Sequence, residues 1–190
     1  MRSVWQSIRT TIVFMVLCGL LYPLFLVLIG QTVFPFQANG ELVKGPNGAV
    51  VGSRLIAQPV TQPGLFQPRP SAVNYAANGS GGSNLGPTNP ALIKEVRGNI
   101  LAFEKLNPTV SVSQIGPTEV ESSASGLDPD ITVRDAMLQI PGVAKATGLS
   151  THTLKGLVLG HIRGRFLGIW GEPHVNVMDL NLAVLKLTHK

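Results

Sequence analysis

The stretch densest in chemical possibility runs Ser80-Gly81-Gly82-Ser83-Asn84-Leu85-Gly86-Pro87-Thr88-Asn89-Pro90. Glycines let successive backbone N–H groups converge on an anion, and a helix start follows at once, so the stretch has the makings of a phosphate cradle. It has equally the makings of a rigid loop shaped for a protein partner. It holds no lysine and no GxxxxGK[ST] pattern, which excludes a Walker A loop. A second constellation, Ser125-Gly126-Leu127-Asp128-Pro129-Asp130, reads as turn chemistry, because a carboxylate before proline can accept from the backbone two residues on. Asp128 and Asp130 lack the further oxygen ligands, at EF-hand spacing, that a calcium site needs. His152, His161, His174 and His189 lie 9, 13 and 15 residues apart with no H-x-x-x-H or H-E-x-x-H, which argues against zinc. Triad members can meet from distant positions, but G-x-S-x-G is absent and no serine stands out as a nucleophile. Arg165 and Glu172 lie within the glycine-apolar string Gly164–Pro173, as partners for each other or for another chain.

These groups must be carried by elements, and the first element is unmistakable. Between Arg9 and Glu41 there is no charged side chain. Residues 10–32 read as a transmembrane helix, since about 20 apolar residues at about 1.5 Å each cross the roughly 30 Å hydrocarbon layer. A cleaved signal would have a shorter apolar run and a small-x-small site, and none follows here. A buried core helix would show a polar face, which Ile12–Ile29 lacks. Pro23 removes a donor in mid-span and predicts a kink. Arg2 and Arg9 before the span place residues 1–9 in the cytoplasm and the rest outside, in the periplasm of a bacterial inner membrane. Residues 33–48 form a connector with turn signals at Pro35, Asn39-Gly40 and Pro46-Asn47-Gly48.

Residues 49–190 are long enough for one hydrophobic core. The formal charge of +5 falls to +3 once Arg2 and Arg9 are set aside. With no Lys/Arg cluster and no interleaved aromatics, nucleic acid is not an expected partner. The one cysteine, Cys18, lies within the span, so the domain has no disulfide. Strands are expected over 49–58, 117–123, 165–170 and 175–187, and helices over 90–106, 133–146 and 152–162. Asn89-Pro90 begins the first helix; Thr132 or Asp130 and Ser150 or Thr151 cap the others, and Pro141 predicts a break or kink. Residues 59–90 are a long proline-, glycine- and asparagine-rich loop. The expected fold is a single N-terminal transmembrane helix plus one α/β (α+β) extracytoplasmic domain with a small mixed sheet.

Five strings go further: GSRLIAQ (52–58), FQPRPSAVNY (66–75), SGGSNLGPTNP (80–90), ASGLDPDIT (124–132) and GRFLGIWGEPHVNVMDLNLA (164–183). In this order, behind an N-terminal span, they resemble the C subunit of the Kdp potassium-transporting P-type ATPase over essentially the whole chain. The resemblance implies an accessory, non-catalytic subunit of an inner-membrane complex. Its partners would be a channel-like potassium-binding subunit, a P-type ATPase catalytic subunit and a small membrane subunit, with lipid around the span. It implies no cofactor bound directly, ATP being reached through the complex, and a family role as catalytic chaperone that raises the pump's ATP affinity. That role sits poorly with an extracytoplasmic domain, so assembly and stabilisation are the expected task. Ser83, Asn84, Thr88, Asn89, Asp128, Arg165 and Glu172 match the family strings and are the candidates for partner-interface or nucleotide contacts. The chain departs from the family pattern at Asp130, Gly142 and His174, where that pattern carries His, often Arg, and Arg. Readings of another class are a membrane-tethered periplasmic enzyme or a nucleotide-binding domain.

Overall fold

The charge-free run is helical from end to end. In the computed structural model, which describes residues 2–45 and 48–188, α1 (Arg2–Val16) passes through a π turn (Leu17–Leu21) into α2 (Tyr22–Val33). Together they form one 32-residue helix, and an 18-residue window within it has a mean hydropathy of 2.8. The helix starts eight residues before the apolar core, so its first turns carry Arg2 and Arg9. Pro23 does not interrupt it. The π turn lies just ahead of the proline, and Tyr22 N–H bonds Leu17 O, one residue further back than in an α-helix. A wider turn is a local way to accommodate the donor that proline lacks.

Pro35 opens a short helix, α3 (Pro35–Ala38), where a turn was expected, because proline suits the first helical position. Asn39-Gly40 ends it, with Gly40 at φ +80. Of the third turn signal only Gly48, at φ +76, is described; Pro46 and Asn47 lie outside the described residues, as does His189. Strands β1 (Leu42–Lys44) and β2 (Val50–Ser53) pair as a two-stranded ribbon. By internal contacts the chain divides into Met1–Val50 and Val51–Lys190.

The second unit is built on a three-stranded antiparallel sheet rather than a mixed one. β3 (Asp130–Thr132) and β4 (Ile162–Arg163) flank β5 (His174–Asn176), with Ile131 and Ile162 both opposite Val175. Helices α6 (Val133–Thr147), α7 (Thr151–Gly160) and α8 (Val177–Thr188) supply the rest of the core. Ala136, Ile140 and Val143 on α6, Leu154 and Val158 on α7, and Val177, Leu180 and Val184 on α8 recur at helical spacing and are buried with Phe66. Thr132 and Ser150 cap α6 and α7, their hydroxyls accepting from Asp135 and Thr153 N–H at 3.1 and 3.0 Å. Gly148 ends α6 in the left-handed region. Pro141 sits inside α6 without breaking it.

Three expected strands fold otherwise. Val177–Thr188 is helical because Val177, Leu180, Asn181 and Val184 share one buried face at spacings of three and four, whereas the near-alternation of Val175, Val177, Leu180, Leu182 and Val184 is incidental. Asn176 ends β5 and caps the helix, its Oδ1 accepting from Asp179 N–H at 3.2 Å. Residues 117–123 hold a single helical turn, α5 (Pro117–Val120), with proline at its first position and Glu119 Oε2 accepting from Gly116 N–H at 2.7 Å. Residues 165–170 form a tight exposed loop with one bridge, Phe166 to Trp170. In 49–58 only Val50–Ser53 is strand. Helix α4 (Pro90–Leu106) starts where Asn89 predicts, yet of its apolar residues only Phe103 is buried, and Leu101 stays 68% exposed.

Candidate functional site

The proline- and glycine-rich segment 59–89 has neither helix nor strand, and side-chain amides hold it in place. Asn181 on α8 grips Phe66 from both sides of its peptide: Phe66 N–H donates to Oδ1 at 2.7 Å, and Nδ2 donates to Phe66 O at 2.9 Å. Gln139 on α6 does the same for Gln67, at 2.7 and 3.2 Å. The segment thus acquires the paired backbone that a sheet neighbour would supply. Ser71 then ties the two motif loops, its hydroxyl donating to Gly126 O at 2.7 Å and accepting from Tyr75 N–H at 2.9 Å. Tyr75 returns its phenol to Arg69 O at 2.9 Å, and burial pushes that phenol's pKa up.

Residues 80–83 lie against residues 123–126. Gly81 N–H donates to Ser125 O at 2.8 Å, and the Ser80 hydroxyl bonds the same carbonyl at 3.1 Å. A Cβ on Gly82 would come within 3.1 Å of Ala124 O; one on Gly126, at φ +67, would come within 2.8 Å of Gly81 O. Gly126 therefore requires glycine, and at Gly82 a side chain would crowd the Ala124 backbone. Gly81 N–H is engaged within the fold, and residues 78–90 contain no Lys or Arg, so the loop as folded does not fit a phosphate. The contacts make it a rigid ledge.

Between this ledge and α4 lies a cleft of about 540 Å³, lined among others by Gln67, Pro70, Tyr75, Ser83, Glu95 and Glu119. Ser122 donates to Glu95 Oε1 at 2.7 Å, and Asn99 Nδ2 to Val120 O at 2.8 Å, which fixes α4 to the α5 segment. Glu119 is buried, and its Oε1 has no hydrogen-bond partner. Burial raises its carboxyl pKa above the ordinary 4.5, against the pull of the Gly116 N–H, and the neighbouring Asp135 charge adds to the rise. No lysine or arginine lines the cleft. Among the described residues no group of His, Cys, Asp or Glu could hold a metal ion.

Of the residues singled out from sequence, Ser83 faces the cleft. Asn84 and Thr88 are exposed beside it, Asn84 in the left-handed region at φ +53. Asn89 serves as the cap of α4, accepting from Ala91 N–H at 2.9 Å. Asp128 makes the expected turn, accepting from Asp130 N–H at 3.2 Å, and its other oxygen meets Arg69 Nη1 at 3.2 Å. Arg165 and Glu172 lie elsewhere, on the β4–β5 connection, and among the described residues no ion pair joins them. Two departures from the family strings meet: His174 Nε2 lies 3.7 Å from Asp130 Oδ2. Gly142 is the third. A Cβ there would come within 3 Å of Leu106 O, where α4 ends.

The acceptor that sequence reasoning missed is Asp179. Arg163 Nη2 reaches its Oδ2 at 2.8 Å, and Arg54 Nε its Oδ1. Reading 175–187 as a strand hid it, since only a helix starting at Val177 places Asp179 in a first turn. Asn176, buried, donates to Arg54 O and to Asp130 Oδ1, each at 3.0 Å, and so ties the residue after β2 to β3 and, through its cap of α8, to that helix.

Comparison with known proteins supplies the remaining observation. The family model described as K+-transporting ATPase, c chain (KdpC) matches residues 4–186. A protein of Caldanaerobacter subterraneus subsp. tengcongensis, named potassium-transporting ATPase KdpC subunit, is 48% identical over 185 residues, covering 97% of this chain and 95% of its own. Proteins of the same name from Geobacter sulfurreducens and Bacillus cereus are 45% and 42% identical, covering 97% and 95% of this chain and 97% and 93% of their own.

Proposed function

Because this chain belongs to the KdpC family of K+-transporting ATPase c chains, we propose that it is an accessory, non-catalytic subunit of an ATP-driven potassium uptake complex. The match from residue 4 to residue 186 carries the reading, because it takes in anchor and domain together. The helix Arg2–Val33 crosses the bacterial inner membrane once, with the N-terminus cytoplasmic. The domain that follows lies on the periplasmic side and holds the channel-like and P-type ATPase subunits together, the small membrane subunit completing the set.

The ledge 80–88 is the docking surface of this reading. Its start is pinned to Ser125 O by Ser80 and Gly81, with glycine at 82 and 126 allowing the close approach, so binding would order few residues. Asn84 and Thr88 stand exposed on it, with Ser83 beneath. ATP is reached through the pump subunit: a loop without lysine or arginine, whose Gly81 N–H is engaged, has little to offer a triphosphate. Any gain in the pump's ATP affinity then follows from assembly.

Gentle-detergent purification of the tagged chain from its native membrane tests this. Co-recovery of a polytopic channel-like protein and a P-type ATPase, with potassium-stimulated ATP hydrolysis, is expected. Recovery of the chain alone, from cells making the whole system, would overturn it. Asn84→Gly keeps the left-handed backbone and removes the side chain, so it should weaken co-recovery without unfolding the domain.

A further inference from the structure

The β4–β5 connection is the most apolar exposed feature of the second unit. Phe166 N–H donates to Trp170 O at 2.8 Å and Trp170 N–H to Phe166 O at 3.1 Å, closing a tight loop. Leu167, Gly168 and Gly171 adopt left-handed conformations that set its shape. The two aromatic rings lie 6.3 Å apart. Phe166, Leu167, Ile169 and Trp170 are 71%, 73%, 66% and 59% exposed, and none belongs to the core. Four large apolar side chains at one loop tip mark a surface made to be covered.

The chemistry of the tip and the chain that carries it indicate what covers it. Tryptophan and phenylalanine beside arginine suit the bilayer–water interface, where the indole sits at headgroup level and the guanidinium reaches phosphate. Arg165 directly precedes the tip and is exposed. The same chain has a helix long and apolar enough to span a bilayer, and residues 34–50 separate it from the second unit. At about 3.3–3.6 Å per residue that connection extends at most about 60 Å, so lipid is within the domain's reach. We propose that the tip Phe166–Trp170 inserts into the interfacial layer of the bilayer that the chain's own helix spans, with Arg165 against lipid phosphate. The insertion gives the domain a second foothold on lipid. It goes beyond the assembly reading and does not depend on it.

The chain has two tryptophans, Trp5 and Trp170, so Trp5→Phe leaves Trp170 as sole reporter. The full-length variant, alone in nanodiscs with and without bromine-labelled acyl chains, should show blue-shifted emission that bromine quenches about twofold or more. Adding Leu167→Asp and Ile169→Asp should abolish that quenching while leaving the circular dichroism spectrum and melting transition unchanged, because neither side chain touches the core. Emission typical of water, quenched by iodide and indifferent to lipid bromine, overturns the proposal. So does shielding of Trp170 that appears only when the other ATPase subunits are added, which would assign the tip to a protein partner.

Discussion

At the scale of single residues, the buried carboxylate is the most informative group. Glu119 accepts one backbone N–H through Oε2, while Oε1 is buried without a partner and Asp135 lies near. The fold therefore favours its neutral form, and its folded pKa stands above the unfolded value. Its contribution to stability is complete below the unfolded pKa and is lost as pH rises through the folded one. Glu119→Gln keeps an acceptor for Gly116 and removes the titration. Its stability relative to the parent should improve steadily as pH rises above about 4.5, read by denaturant unfolding at several pH values. A difference that stays constant with pH would show that Glu119 ionises at no penalty. Sequence offered no warning here, because Thr118-Glu119-Val120 in an expected strand places a glutamate at the surface by default.

At the scale of elements, caps were legible and packing was not. Asn89, Thr132 and Ser150 act through their own backbone neighbourhoods, so their roles follow from local sequence. Asn89 tests whether a residue of the family strings acts structurally. Asn89→Ala should destabilise the domain by about 1 kcal/mol, and Asn89→Asp should restore most of that, because either side chain caps a helix N-terminus. Thermal unfolding of the full chain in mild detergent measures both. A contact to a partner would be rescued poorly by Asp, and the loss would then appear in co-purification instead of in the melt. The strand reading of 175–187 failed for the opposite reason. Five apolar residues fit a period of two almost as well as 3.6, and the choice was made by the space against α6, α7 and Phe66.

At the scale of the molecule, the feature that bears on topology is a charge asymmetry about the candidate span. Arg2 and Arg9 are the only charged side chains before the candidate span, and Glu41 is the first after it. If they set the orientation, replacing both with glutamate should yield a mixed population, with part of the C-terminal domain retained in the cytoplasm. A C-terminal reporter active on only one side of the membrane reads this out. Unchanged topology would mean that translocation of the long domain, and not flank charge, decides the matter.

The sequence by itself determined what depends on neighbours along the chain. That covers the length and apolarity of the span, the helix starts at Pro90, Val133 and Thr151, the turn at Asp128, and, through five ordered strings, the family. The tertiary structure alone decided what depends on distant residues meeting. Asn181 and Gln139 hold a proline-rich segment from more than seventy residues away, Asp179 receives Arg54 and Arg163, and the glycines at 82 and 126 let two loops touch. Such pairings leave no local periodicity, because their partners are set by where the core brings the chain together.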